Sequence, residues 1–205
     1  MKKDIILAGV GGQGLLSIAA VIGEAAVKSG LFIKQAEVHG MAQRGGVVQS
    51  HVRLSDNAIY SDLIRAGSAD LILATEPLEG LRYLEFLKGG GMLVTNSVPF
   101  KNVDPYPDDD DIEARIEALP HHLLIDAVAL AKEAGSVRCA NMVVLGAGSP
   151  FIGISEDALR TAIEQVFSGK GTKIIETNLK GFDLGREASL EEYALWRLRE
   201  EDPRK

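Results

Sequence analysis

The chain has 205 residues, of which 46% are hydrophobic and 25% charged, with 22 glycines and a formal net charge of -7. That length buries one substantial core, so residues 1–205 are expected to form a single domain. The acidic balance gives no footprint for nucleic acid or an anionic membrane, no stretch reaches the roughly 20 apolar residues of a bilayer span, and the lone Cys139 excludes both an internal disulfide and a four-thiolate cluster.

A reducing, cytoplasmic setting is therefore expected. Residues 4–10, "DIILAGV", form a continuous apolar run that stops at glycines, as a strand buried on both faces would. The preceding lysines match the start of a signal peptide, but Asp4 and the glycines interrupt any apolar core for one. "GLLSIAAVIGEAAVKS", 14–29, carries apolar residues at helical spacing, with Gly30 placed as its stop. "FIKQAEV" and "GVVQSHVRL" are predicted strands joined by the turn "HGMAQRG", and "DLILATE" and "GMLVTNS" are strands around a helix, "PLEGLRYLEFLK".

The segment "PFKNVDPYPDDDD", 99–111, has the composition of a surface loop, and Asp108 to Asp111 suit the positive end of a helix, "IEARIEAL", better than a calcium loop. "HHLLIDA" is a strand leading into the helix "VALAKEAG", with His121 and His122 on opposite faces and so unable to share a metal. The last third is helical: Ser155 caps "EDALRTAIEQVF", and Ser189 with Glu192 has capping-box spacing before a C-terminal helix over about 186–205 with a frayed end. Strands alternating with helices predict an α/β fold, a mostly parallel, Rossmann-like sheet flanked by helices.

Gly9, Gly11 and Gly14 in "GVGGQG" satisfy G-x-G-x-x-G between a predicted strand and a predicted helix. With Glu37 placed to hold a ribose, a free-standing NAD(P)- or flavin-binding oxidoreductase is one reading. Equally, glycines are needed wherever a helix packs tightly against the strand before it. In "HGMAQRGG", Gly40, Gly45 and Gly46 are expected to supply unusual backbone angles. Alternation in the next strand puts Gln49, His51 and Arg53 on one face, where they meet solvent or a carboxylate, or join Arg44 in a surface for an anion or a partner. Glu76 and Asn96 fall at strand ends, where open sheets place ligands and where polar residues also cap helices. Cys139, with no activating neighbour, is expected to be a packed thiol, and Met41 an interface contact or a core residue.

Together "AGVGGQG", "EVHGMAQRGGVVQSHVRL", "NMVVLGA" and "KIIETNLKGFDLG" resemble the gamma-type domain of 2-oxoacid:ferredoxin oxidoreductases over nearly the whole chain. Within that family, "HGMAQRGG" followed by "SHVR" is most similar to the small subunits of the indolepyruvate-oxidising members. The resemblance implies a subunit inactive alone, assisting oxidative decarboxylation of an arylpyruvate to an acyl-coenzyme A and carbon dioxide, with ferredoxin as acceptor. Thiamine diphosphate, Mg and iron-sulfur clusters are then expected in a larger partner subunit, because one cysteine holds no cluster and no "GDG" stretch occurs here. By the same resemblance, Gly11, Gly12, Gln13, Gly14, His39, Gly40, Met41, Gln43, Arg44, Gly45 and Gly46 face a cofactor, coenzyme A among them, or the partner. Arg44 meets a cofactor phosphate or the partner chain, with an ion pair inside the domain as the alternative. No catalytic or metal-ligating residue is assigned to this chain. A purely structural, partner-binding domain is the third reading.

Overall fold

The computed structural model describes residues 1–40 and 45–200, with 194–200 described by backbone alone. Six strands form one sheet: β1 (Lys2–Val10), β2 (Phe32–His39), β3 (Val47–Ser55), β4 (Ala69–Ala74), β5 (Leu87–Asn96) and β6 (His122–Ile125), in the order β2-β3-β1-β4-β5-β6. β4, β5 and β6 continue parallel from β1, while β3 pairs antiparallel with both β1 and β2. The expected mostly parallel sheet is present, with one reversed strand. The reversal follows from the short turn over 40–46, since parallel neighbours need a crossover of about a dozen residues or more.

Helices cover both faces, which is why β1 is apolar without alternation. On one side α1 (Leu15–Lys28), α4 (Ala127–Ala134), α5 (Ala140–Ile152), α6 (Glu156–Val166) and α7 (Thr172–Glu200) enclose the larger core, with Ile5, Leu7, Leu71, Leu73 and Val94 projecting into it from the sheet. On the other, α2 (Pro77–Arg82) and α3 (Asp109–Glu117) pack Leu81, Ile112 and Ile116 against Ile6, Ile72 and Leu93. Asp108 and Ser155 cap α3 and α6 as their sequence positions predict. Cys139 is a packed thiol whose pKa burial pushes up.

Two boundaries differ from expectation. The helix predicted over 77–88 stops at Arg82, because β5 reaches back to Leu87 to pair with Ala69. The C-terminal helix begins at Thr172 and not near 186, so Ser189 is a fully buried mid-helix residue and no capping box forms with Glu192. Gly181 and Gly185 have the look of helix breakers, but inside α7 they permit close packing. A Cβ on Gly185 would collide with the Val143 carbonyl of α5, and one on Gly146 would collide with the Phe182 carbonyl of α7. The two helices therefore touch backbone to backbone, which accounts for Gly146 and Gly185.

Candidate functional site

At the end of β1 the chain enters α1 through a turn that glycine makes possible. Gly12 and Gly14 have φ of 99° and 82°, a left-handed region that side chains rarely adopt. At Gly9 the requirement is space, since a Cβ there would collide with Thr75 Oγ1 at the end of β4. The Gln13 side chain folds back into the turn: its Oε1 accepts from Val10 N at 2.8 Å and from Thr75 Oγ1 at 2.9 Å. Asn141, at the start of α5, donates to the Gly14 carbonyl at 3.1 Å. Gln13 is thus committed to shaping the turn. Gly14 has no side chain to cap α1, so the helix end presents its first turn to a cleft.

The second half of the site is the β2–β3 turn. Its backbone is joined to the glycine turn, with Gly11 N donating to Gly46 O at 2.8 Å and Gly45 N donating to Gly11 O at 3.3 Å. Gly40 N closes the hairpin on Val47 O at 2.8 Å. Of the three glycines expected to have unusual angles, Gly45 has one, with φ of 78°, while at Gly40 the constraint is space, since a Cβ there would crowd the Val47 backbone. Between the two turns lies a cleft of about 520 Å³, walled by Gly11, Gly12, Gly14, the first turn of α1, His39, Gly40 and Val48. Leu16 forms an exposed apolar rim. The structure therefore brings Gly11, Gly12, Gly14, His39 and Gly40 around one cavity, with Gly45 and Gly46 bonded behind it. Met41, Gln43 and Arg44 lie outside the described residues.

His51 and Arg53 do not belong to this surface. Arg53 makes a two-pronged pair with the buried Asp4, at 2.7 and 3.1 Å, and donates further to the carbonyls of Ser61 and Leu63. Burial pushes the Asp4 carboxyl up, but hydrogen bonds and charge from Arg53 and Lys2 outweigh it and hold the group below its ordinary value. His51 is buried, accepts from Ile64 N through Nδ1 at 3.0 Å and meets the Phe86 ring edge-on. Its pKa is depressed, first by burial and then by the Arg53 charge. His51 and Arg53 are thus spent on Asp4 and on holding the 61–64 loop, and neither is free for an anionic ligand. Glu37, the residue placed in sequence to hold a ribose, pairs with His39 at 2.5 Å and accepts from Gln35 at 3.2 Å.

Glu76 and Asn96 act as ties at the C-terminal edge of the parallel strands. Asn96 accepts from Ala127 N at the start of α4 and donates to Val98 O. Glu76, fully buried, caps α2 through Glu79 N at 2.7 Å and also receives Phe100 N and the Tyr106 hydroxyl. Sequence reasoning missed Thr75, Asn141, Asn102 and Tyr106, which support the site from distant positions. The only local hint was that Glu76 follows a strand and precedes Pro77, a favoured first helical residue.

The donors near the cleft are backbone amides, a serine and a histidine, and among the described residues no group of three or more His, Cys, Asp or Glu could hold a metal ion. This set fits one polar or anionic group at the end of α1 and does not fit a metal cluster. Residues 4–188 match the family model described as pyruvate ferredoxin/flavodoxin oxidoreductase. The chain belongs to that family. It is 38% identical to indolepyruvate oxidoreductase subunit IorB of Pyrococcus horikoshii, over 93% of this chain and 98% of that one. It is 33% identical to 2-oxoglutarate synthase subunit KorC of Methanothermobacter thermautotrophicus, over 93% and 97%. The keto/oxoacid ferredoxin oxidoreductase gamma subunit of Geobacter sulfurreducens superposes with a TM-score of 0.67 at 28% identity, covering 92% of this chain and 99% of that chain. The 2-oxoglutarate:ferredoxin oxidoreductase of Magnetococcus marinus, solved with 2-oxoglutarate, coenzyme A and succinyl-CoA bound, superposes at 0.73 and 26% identity. This chain covers only 31% of that longer polypeptide, and is itself 93% covered. The gamma-type domain of pyruvate ferredoxin/flavodoxin oxidoreductases is thus what the sequence folds into, a subunit of an oxidoreductase; a free-standing nucleotide-binding oxidoreductase is not favoured.

Proposed function

We propose that this chain is the small subunit of a cytoplasmic 2-oxoacid:ferredoxin oxidoreductase acting on indolepyruvate or a related arylpyruvate, and that its two joined turns close the reaction centre of a larger partner. The observation carrying the reading is the end-to-end match to an indolepyruvate oxidoreductase subunit, together with a cleft whose described walls offer binding donors. Thiamine diphosphate with Mg, and the iron-sulfur clusters, belong to the partner in this reading; they supply decarboxylation and electron transfer to ferredoxin, with coenzyme A taking up the acyl group. This chain contributes the exposed amides of the α1 end, which favour a phosphate or carboxylate, and a water-excluding rim at Leu16. In this reading Arg44 and Gln43 of the signature turn add side-chain charge and further donors for the same ligand. Met41 makes the adaptable contact with the partner.

The test is anaerobic reconstitution. The chain and its co-purified large subunit, given indolepyruvate, coenzyme A and ferredoxin, are expected to reduce ferredoxin and form acyl-coenzyme A, with pyruvate and 2-oxoglutarate poorer substrates and neither subunit active alone. Turnover by the isolated chain, or saturable micromolar binding of a reduced nicotinamide cofactor to it, refutes the reading.

A further inference from the structure

We infer that residues 97–108, which link β5 to α3, form a strap that positions the signature turn, with Asn102 as its contact and Glu76 as its clasp. The composition of this segment is that of a plain surface loop, yet three bonds tie it inward. Phe100 N and the Tyr106 hydroxyl both donate to one oxygen, Glu76 Oε1, so the strap is pinned at two points around a short arc. From within that arc Asn102 Nδ2 reaches the Gly45 carbonyl at 3.1 Å. Lys101 adds to the closure, pairing with Asp109 at 2.9 Å and lying over the Tyr106 ring.

The identity of the clasp follows from counting oxygens. Capping α2 needs one acceptor, which Glu76 Oε2 supplies to Glu79 N. A serine could do that much, whereas a carboxylate leaves Oε1 for the strap. Burying it completely is tolerable only because Glu79 N, Phe100 N and the Tyr106 hydroxyl all donate to it. The neighbouring Thr75 holds Gln13 of the glycine turn. Two successive residues at the end of β4 therefore anchor both halves of the site: Thr75 through Gln13, and Glu76 through the strap, Asn102 and Gly45. Gly45 in turn bonds Gly11. Asn102 and Tyr106 are positioning residues, acting on the cleft through Gly45.

The proposal rests on the functional reading above only for its kinetic consequence, so two measurements separate them. Hydrogen–deuterium exchange on the full-length chain compares wild type with Tyr106→Phe, which removes one hydroxyl and keeps the ring, and with Asn102→Ala. Losing one hydrogen bond should quicken exchange roughly five- to tenfold in peptides spanning 9–15 and 40–48, with β4 and β5 unchanged. Faster exchange confined to 97–108 would overturn the proposal, leaving an ordinary loop. In the reconstituted complex the same variants should raise the KM for coenzyme A or the 2-oxoacid more than they lower kcat. Quickened exchange with unaltered kinetics would uphold the positioning and count against the turn's place at the reaction centre.

Discussion

The two ends of β3 carry similar residues and do opposite things. At the far end, Arg53 and His51 spend their donors and acceptors on Asp4, the Ser61 and Leu63 carbonyls and Ile64 N, so a histidine and an arginine there hold a loop. At the near end, Gly40, Gly45 and Gly46 are held by backbone hydrogen bonds and by Asn102, beside a cleft. Residue type did not separate the two. What separates them is that the far-end groups are spent on partners inside the domain, whereas the near end borders the cleft.

The largest test of this contrast is Arg53→Ala, which leaves the buried Asp4 carboxylate with only the exposed Lys2 as a counter-charge. It should cost about 3–5 kcal/mol, read as a loss in thermal or denaturant midpoint, while folded molecules assembled with the partner keep their KM for coenzyme A. A changed KM at full occupancy would return Arg53 to the ligand surface. Next comes acid sensitivity through His51. Its Nδ1 must be unprotonated to accept from Ile64 N, and its folded pKa lies below the ordinary 6.5. The stability it contributes is thus complete above pH about 6.5 and is lost as pH falls through the lower folded value. Denaturation midpoints followed from pH 7 to 5 should decline more steeply in wild type than in His51→Gln; parallel curves would contradict the depressed pKa. The smallest stability effect belongs to Gly12→Ala, where a Cβ meets no atom but φ is 99°. It should cost about 1 kcal/mol, a shift of roughly 2–4 °C in Tm, yet raise the KM for coenzyme A because the methyl enters the cleft. An unaltered KM would show that the ligand bypasses the glycine turn.

Much of the architecture was legible because its signals are local. The apolar run of β1, the helical period of α1 and the caps Asp108 and Ser155 each depend on residues a few positions apart. The long C-terminal helix was not legible, since Gly181 and Gly185 have the look of breakers until α5 is known to lie against them. The candidate site was half legible. "GVGGQG" and "HGMAQRGG" could be singled out, but not their union through Gly11, Gly45 and Gly46. Nor could Arg53 be matched with Asp4 or Asn141 with Gly14, because tertiary pairing across such separations leaves no periodic trace.

The α5–α7 crossing leaves no slack between main chains, and α5 carries in its first turn Asn141, which grips the Gly14 carbonyl at the mouth of α1. A single added methyl at Gly146 or Gly185 would wedge the helices apart and tug on that grip from the rear of the protein. The cleft's geometry is hostage to a seam of bare backbone on another side of the fold.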